Sequence, residues 1–158
     1  MRFFRGREDG FSLIEIVVVV LIIAVLIGIA IPTFLGMRER AHDAAAKESA
    51  ALALKIATGF ATDGTEDFST LSTSALNASE PSVTFIDGDL ASTGPAEVSQ
   101  MVPDAGAGDQ IFVAAVQSES GDCFFARVFA NGGTDYGEVA GTDCRADDHG
   151  SVLFGPSW

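Results

Sequence analysis

From residue 16 to residue 31 the chain runs for sixteen positions without a charge, a hydroxyl or an amide side chain, and this run governs everything else. Extended back to Phe11 it covers 21 residues. As a helix that is about 31 Å long, close to the roughly 30 Å of a bilayer's hydrocarbon core. Val and Ile dominate it, but a lone strand in lipid leaves its backbone polar groups unsatisfied, so a helix is expected despite the β-branched composition. Beyond residue 40 the sequence turns polar and acidic. A chain of 158 residues has room for one globular domain plus one such additional element, so a short anchor joined to a water-soluble head is expected.

An ordinary secretory signal places its small-residue cleavage site after the apolar stretch. Here the charged opening segment MRFFRGREDG ends in Gly10, ahead of the stretch, and Pro32-Thr33-Phe34-Leu35 after it lacks the small-x-small pattern. Glu15 is the second anomaly. A carboxylate in hydrocarbon costs on the order of 2.5–3.5 kcal/mol at mid-membrane and less near an end. Either Glu15 lies close enough to the interface to reach water, or it meets a cation. Cleavage after Gly10 would create one, the α-amino group of Phe11, a helical turn away. In a stack of such helices, Glu15 of one subunit would neutralise the terminal amine of the next.

GFSLIE at positions 10–15, after a short basic leader and before an apolar run, resembles the type IV prepilin signature. The resemblance covers residues 1 to about 35; Glu8 and Asp9 are more acidic than such leaders usually are. It implies a prepilin peptidase that cuts after Gly10 and methylates the new N-terminal Phe11, and a requirement for Glu15 in assembly. Pro32 falls where family members carry a helix-breaking proline. The implied partners are further copies of the chain in a helical homopolymer, the peptidase, an assembly ATPase and a platform protein. The implied location is the cytoplasmic membrane as a single-pass precursor with its head outside, then the cell surface. The expected function is that of a structural subunit of a pilus-like filament serving adhesion, motility or DNA uptake. A pseudopilin of a type II secretion or competence machine is the alternative, and a membrane-anchored ectodomain that never polymerises is the third.

The expected layout is a leader at 1–10, a transmembrane and assembly helix at 11–35, an amphipathic continuation at 36–60 and an extracellular β-rich head at 61–158. Pro32 lacks an amide hydrogen and clashes with the preceding turn, so the helix should break, kink or loosen there, with Gly28 and Gly36 adding to the effect. Small residues such as Ala24, Gly28 and Ala30 permit close packing of such helices. Met37, Ala41, Ala45, Leu52, Ile56 and Phe60 form one apolar stripe at helical spacing, expected to face the head's core and partly other subunits. The neighbouring alanines 44–46, 50 and 51 permit close approach of another backbone. A helix over 11–60 would be roughly 75 Å long, more than this head can bury.

Residues 62–64 should end the helix, and the Ser/Thr-rich residues 69–82 read as a loop. That loop carries the sequon Asn77-Ala78-Ser79, either glycosylated or unmodified. Strands are expected at 82–86, 97–102, 110–117, 123–130 and 151–154, the third and fourth forming a hairpin through residues 118–122. Strands that follow a helix without alternation predict an α+β fold, a long N-terminal helix packed by its second half on a C-terminal antiparallel sheet. Cys123 and Cys144 are too few for a zinc site. They are expected to form a disulfide if the head lies outside the membrane, or else to be buried thiols. The Gly- and Asp-rich loop so closed is expected to be poorly structured, and pilins, which the N-terminal motif resembles, similarly close a C-terminal loop.

Charge and motifs exclude several functions. The chain carries 9 Lys+Arg against 22 Asp+Glu; with Arg2, Arg5, Arg7, Glu8 and Asp9 ahead of Phe11, 6 face 20 from there on. Such a surface repels phosphate backbones, so direct nucleic-acid binding by the head is not expected. There is no nucleophile elbow and no zinc-protease helix, and Gly106-Ala107-Gly108 lacks the rest of a phosphate loop, so neither catalysis nor a cofactor is expected. His42 reads as a solvated residue on the polar helix face. Asp143, Asp147 and Asp148, and Asp63, Glu66 and Asp67, are acidic clusters that either bind calcium or are solvated; neither matches an EF-hand, and no metal is assigned. Trp158 is expected to pack under the sheet.

Overall fold

The computed structural model describes residues 10–62, 68, 71–103, 110–141 and 143–158. Leader residues 1–9, the acidic cluster at 63–67 and the glycines at 106–108 lie outside the described residues. The chain divides into two compact units, one ending at Arg38 and the other beginning at Glu39.

In the first unit, α1 (Leu13–Thr62) begins. The backbone carbonyl of Ser12 accepts hydrogen bonds from the amides of Glu15 (3.0 Å) and Ile16 (3.3 Å), which closes the first turn. The break expected at Pro32 is absent: α1 is continuous, with Pro32 inside it. The proline removes one amide donor to the carbonyl four residues back, at Gly28. One residue further on, the Thr33 hydroxyl donates to the Ile29 carbonyl at 3.1 Å. A side-chain bond of this kind re-satisfies backbone beside a proline, which lets a helix run through it.

In the second unit, the rest of α1 packs on a five-stranded sheet of order β1-β2-β3-β4-β5: β1 (Thr84–Asp87), β2 (Glu97–Met101), β3 (Ile111–Gln117), β4 (Asp122–Phe129) and β5 (Thr134–Ala140). A short helix α2 (Thr73–Ser79) and a 3-10 turn (Ala146–Ser151) complete it. The α+β fold is as expected, but the sheet is mixed rather than antiparallel, because β1 pairs in parallel with β2. Parallel neighbours usually need a crossover of about a dozen residues or more. Here β1 has only four residues, so residues 88–96 suffice to bring the chain back to its start.

The helix face that enters the core also differs from expectation. Ala46, Ala50, Ala53, Leu54, Ala57 and Ala61 are buried, whereas Leu52, Ile56 and Phe60 only flank the core and Met37, Ala41 and Ala45 are exposed. The sheet supplies the bulk through Phe85, Phe112 and Phe124, so the helix must present small side chains to approach it. On the opposite face of the sheet Val113, Ala115, Cys123 and Phe125 are covered by Cys144, Ala146 and Val152. With both faces covered, residues 112–116 of β3 are all buried, which suits its continuous apolar run.

Three further elements depart from the sequence reading. Residues 134–140 form β5, and residues 151–154, expected to be a strand, instead lead from the 3-10 turn to a single bridge between Tyr136 and Gly155. Residues 73–79, expected as loop, are helical, because the Ser72 hydroxyl caps them by accepting from the Ala75 amide at 3.2 Å. The β3–β4 hairpin forms as expected, its turn ending in Gly121, whose φ of 100° an L side chain rarely adopts.

Candidate processing and assembly site

At the N-terminal end of the described chain Gly10 is exposed, and a Cβ there would meet nothing within 4 Å. Phe11 is 79% exposed. An open, uncrowded segment of this kind is what an enzyme acting on the peptide bond after Gly10 requires. The geometry therefore leaves Gly10 and Phe11 accessible.

Glu15 sits in the first turn of α1 and is exposed. The positive end of the helix dipole favours a carboxylate at that position. Among the described residues no cation approaches it. Residues 13–37 around it and beyond are exposed at every position except Gly36, and they include Leu13, Ile14, Ile23, Leu26 and Phe34. The helix is long and apolar enough to cross a membrane. At about 25 cal/mol per Å2, an uncovered apolar surface of this length is strongly unfavourable in water, so lipid or protein must cover it.

In the head, Cys123 and Cys144 form a disulfide with a Cα–Cα distance of 5.4 Å. The stretch it closes contains β5 and is therefore structured, contrary to expectation. Cys144 is also held through its carbonyl, which accepts from the Ser92 amide at 2.9 Å. Ser92 itself is buried: its hydroxyl donates to the Glu97 carbonyl at 2.6 Å and accepts from the Gln117 amide at 2.9 Å. Ser99 does similar work by accepting from the Ala146 amide at 3.0 Å. Together these two serines fasten the C-terminal segment to the sheet.

Several contacts were not foreseen in the sequence. His42 is half-buried and its Nδ1 lies 3.1 Å from the Glu119 carboxylate, so it is not the solvated residue expected. Next to it Asp43 accepts from the hydroxyls of Ser118 (2.8 Å) and Ser120 (2.5 Å), fixing the hairpin turn to α1. Partners more than seventy residues apart leave no local signal. The sequon Asn77 is also engaged: its amide donates to the Phe85 carbonyl at 2.9 Å and accepts from the Phe85 amide at 2.8 Å. That pairing caps the free edge of β1 as another strand would, and it occupies the nitrogen that a glycan would need. Trp158 packs edge-on to Phe124 at 5.4 Å and against Tyr136 at 4.9 Å, with the Lys47 ammonium over both Phe124 and Trp158. No group of three or more His, Cys, Asp or Glu among the described residues is placed to hold a metal ion.

Residues 5–31 match the family model for the prokaryotic N-terminal methylation motif. No curated protein and no solved structure matches the chain. The match supports a type IV pilin- or pseudopilin-like prepilin. The motif marks a structural type rather than an enzyme family, and in general it implies processing by a prepilin peptidase and polymerisation. Together with the apolar helix, it fits a membrane-anchored precursor.

Proposed function

We propose that this chain, with a prokaryotic methylation motif that runs into an exposed apolar helix, is the structural subunit of a type IV pilus-like filament. The observation that carries the reading is the match at residues 5–31 coinciding with a helix whose apolar residues 13–37 are exposed at every position but Gly36. Lipid covers that surface in the precursor. After assembly, the same helices of neighbouring copies cover it.

In this reading a peptidase removes residues 1–10 and methylates Phe11. The new amine keeps its positive charge, and Glu15 of an adjacent copy neutralises it in a low-dielectric surrounding, where an unpaired charge is the worse alternative. Helices that stack with an axial offset make a contact that does not close on itself, so subunits add without limit. Residues 11–60 line the filament interior and the heads face outward. An ATPase motor and a platform protein extract the subunits from the cytoplasmic membrane, and the finished filament lies at the cell surface.

Mass spectrometry of protein sheared from the cell surface tests the reading. A chain beginning at N-methylated Phe11 and recovered in filaments is expected. A chain that retains residue 1 and stays in the membrane fraction would overturn it, leaving an anchored ectodomain. Processed protein that never leaves the membrane as long filaments would point to a pseudopilin.

A further inference from the structure

On the sheet face away from α1, a cavity of about 270 Å3 opens beside the disulfide. Its apolar wall includes Cys123, Phe125, Val139 and Val152, and Asp143 and Asp148 are also among its lining residues. Of its apolar lining Val139 is 38% exposed. Asp143 is already paired with Arg145 at 2.9 Å. Asp148 is exposed and has no ion pair among the described residues. An apolar wall with one uncompensated carboxylate fits a long aliphatic stem ending in a cation, the chemistry of a lysine side chain.

The chain itself offers such a group. Of its six cations from Phe11 onward, Lys47, Arg127 and Arg145 are paired with Glu138, Asp135 and Asp143. Lys55 is exposed on α1 and has no ion pair among the described residues. Its helical neighbours four residues away are Ala51 and Gly59, and a Cβ at Gly59 would meet nothing within 4 Å. No carboxylate lies three or four positions from it, whereas Arg40 has Asp43 at that spacing. Lys55 is thus a cation on open, small-residue ground that a second surface can approach closely.

We infer that the cavity beside Cys123–Cys144 receives Lys55 of a second copy of this chain, with the ammonium meeting Asp148 and the alkyl stem lying on Phe125, Val139 and Val152. The two surfaces belong to opposite sides of the head, α1 on one face of the sheet and the cavity on the other. A contact between them is head-to-tail and propagates from copy to copy instead of closing a dimer. It also answers a problem of charge. Heads with 19 acidic against 5 basic residues from Glu39 onward repel one another unless their few cations are set opposite carboxylates of the next copy.

The inference rests on the filament reading, and reciprocal charge exchange in the full-length chain separates the two. Filaments are sheared from cells carrying the assembly machinery and quantified against the membrane-held precursor. Lys55→Glu and Asp148→Lys singly should each lower the yield about tenfold or more by placing like charges together, and the double variant should restore it to near wild type. Both positions are exposed, so precursor levels should match wild type in all variants. Wild-type filaments with undiminished yield from both single variants overturn the inference and leave the filament reading intact, as does a double variant no better than the singles. A wild-type chain that yields no filaments overturns the filament reading and this inference with it.

Discussion

Residues 13–37 of α1 and residues 112–116 of β3 are both strongly apolar, yet the first are exposed at all but one position and the second are buried without exception. The difference lies in where their partners come from. β3 finds neighbours within the chain: β2 and β4 pair with it, α1 covers one face, and the segment from Cys144 to Phe154 covers the other. The first half of α1 closes its backbone hydrogen bonds within itself, and its apolar side chains stand exposed. An apolar strand requires a fold around it, whereas an apolar helix requires only a suitable surrounding, either lipid or further helices.

The comparison can be broken most forcefully at Glu15. Glu15→Ala should reduce sheared filaments about tenfold or more, since it removes the only charge in an otherwise apolar helix segment. The denaturant midpoint of the head, followed by fluorescence of the single tryptophan, should not move. A filament yield that withstands the change would mean that Glu15 merely tolerates its place. Removal of the disulfide by Cys123→Ser with Cys144→Ser should act in the opposite sense. Its 21-residue separation predicts a loss of about 3 kcal/mol from the head. Trp158 fluorescence should report that loss, while the circular dichroism of a chain held in detergent keeps the contribution of residues 13–37.

A smaller effect is expected at Gly137 in β5. A Cβ there would lie 2.4 Å from Val152 Cγ1 and 3.2 Å from the Leu153 carbonyl oxygen. Gly137→Ala should therefore push the C-terminal segment off the sheet at a cost of about 1–3 kcal/mol, read as a lower unfolding midpoint at unchanged m-value. An unchanged midpoint would show that the segment covering Phe125 is laid down loosely, and that the back of the sheet is closer in character to the bare helix than to the core.

The long helix was legible in the sequence because its signal is local: sixteen successive residues without a polar side chain, with Gly10 ahead and Glu15 near the start. The β3–β4 hairpin was legible for a related reason, two apolar runs separated by a short polar turn. β5 was missed because residues 134–140 carry Asp135, Gly137 and Glu138, which argue against a strand in isolation. Those residues are accommodated there by specific partners: Asp135 pairs with Arg127 at 2.7 Å, Gly137 makes room for Val152, and Glu138 meets Lys47 at 3.8 Å. The helical face buried in the head was misassigned because large apolar residues are the usual guide to a core. Here the phenylalanines of the sheet provide the volume and alanines face them.

The sequence by itself determined what a run of residues can decide alone: the apolar helix, the processing motif before it, the acidic character of the head and the presence of two cysteines. Tertiary structure decided the rest. It set β1 parallel to β2, bridged Cys123 to Cys144 over a structured stretch, turned Asn77 into a cap for a sheet edge, and left Asp148, at the cavity beside the disulfide, without an ion pair among the described residues. The physical reason is the range of the interactions. A helix saturates its backbone with bonds four residues apart, so its pattern is written in neighbouring residues. A sheet joins segments tens of residues apart, and which strand lies beside which is settled only when side chains from the whole head compete for one core.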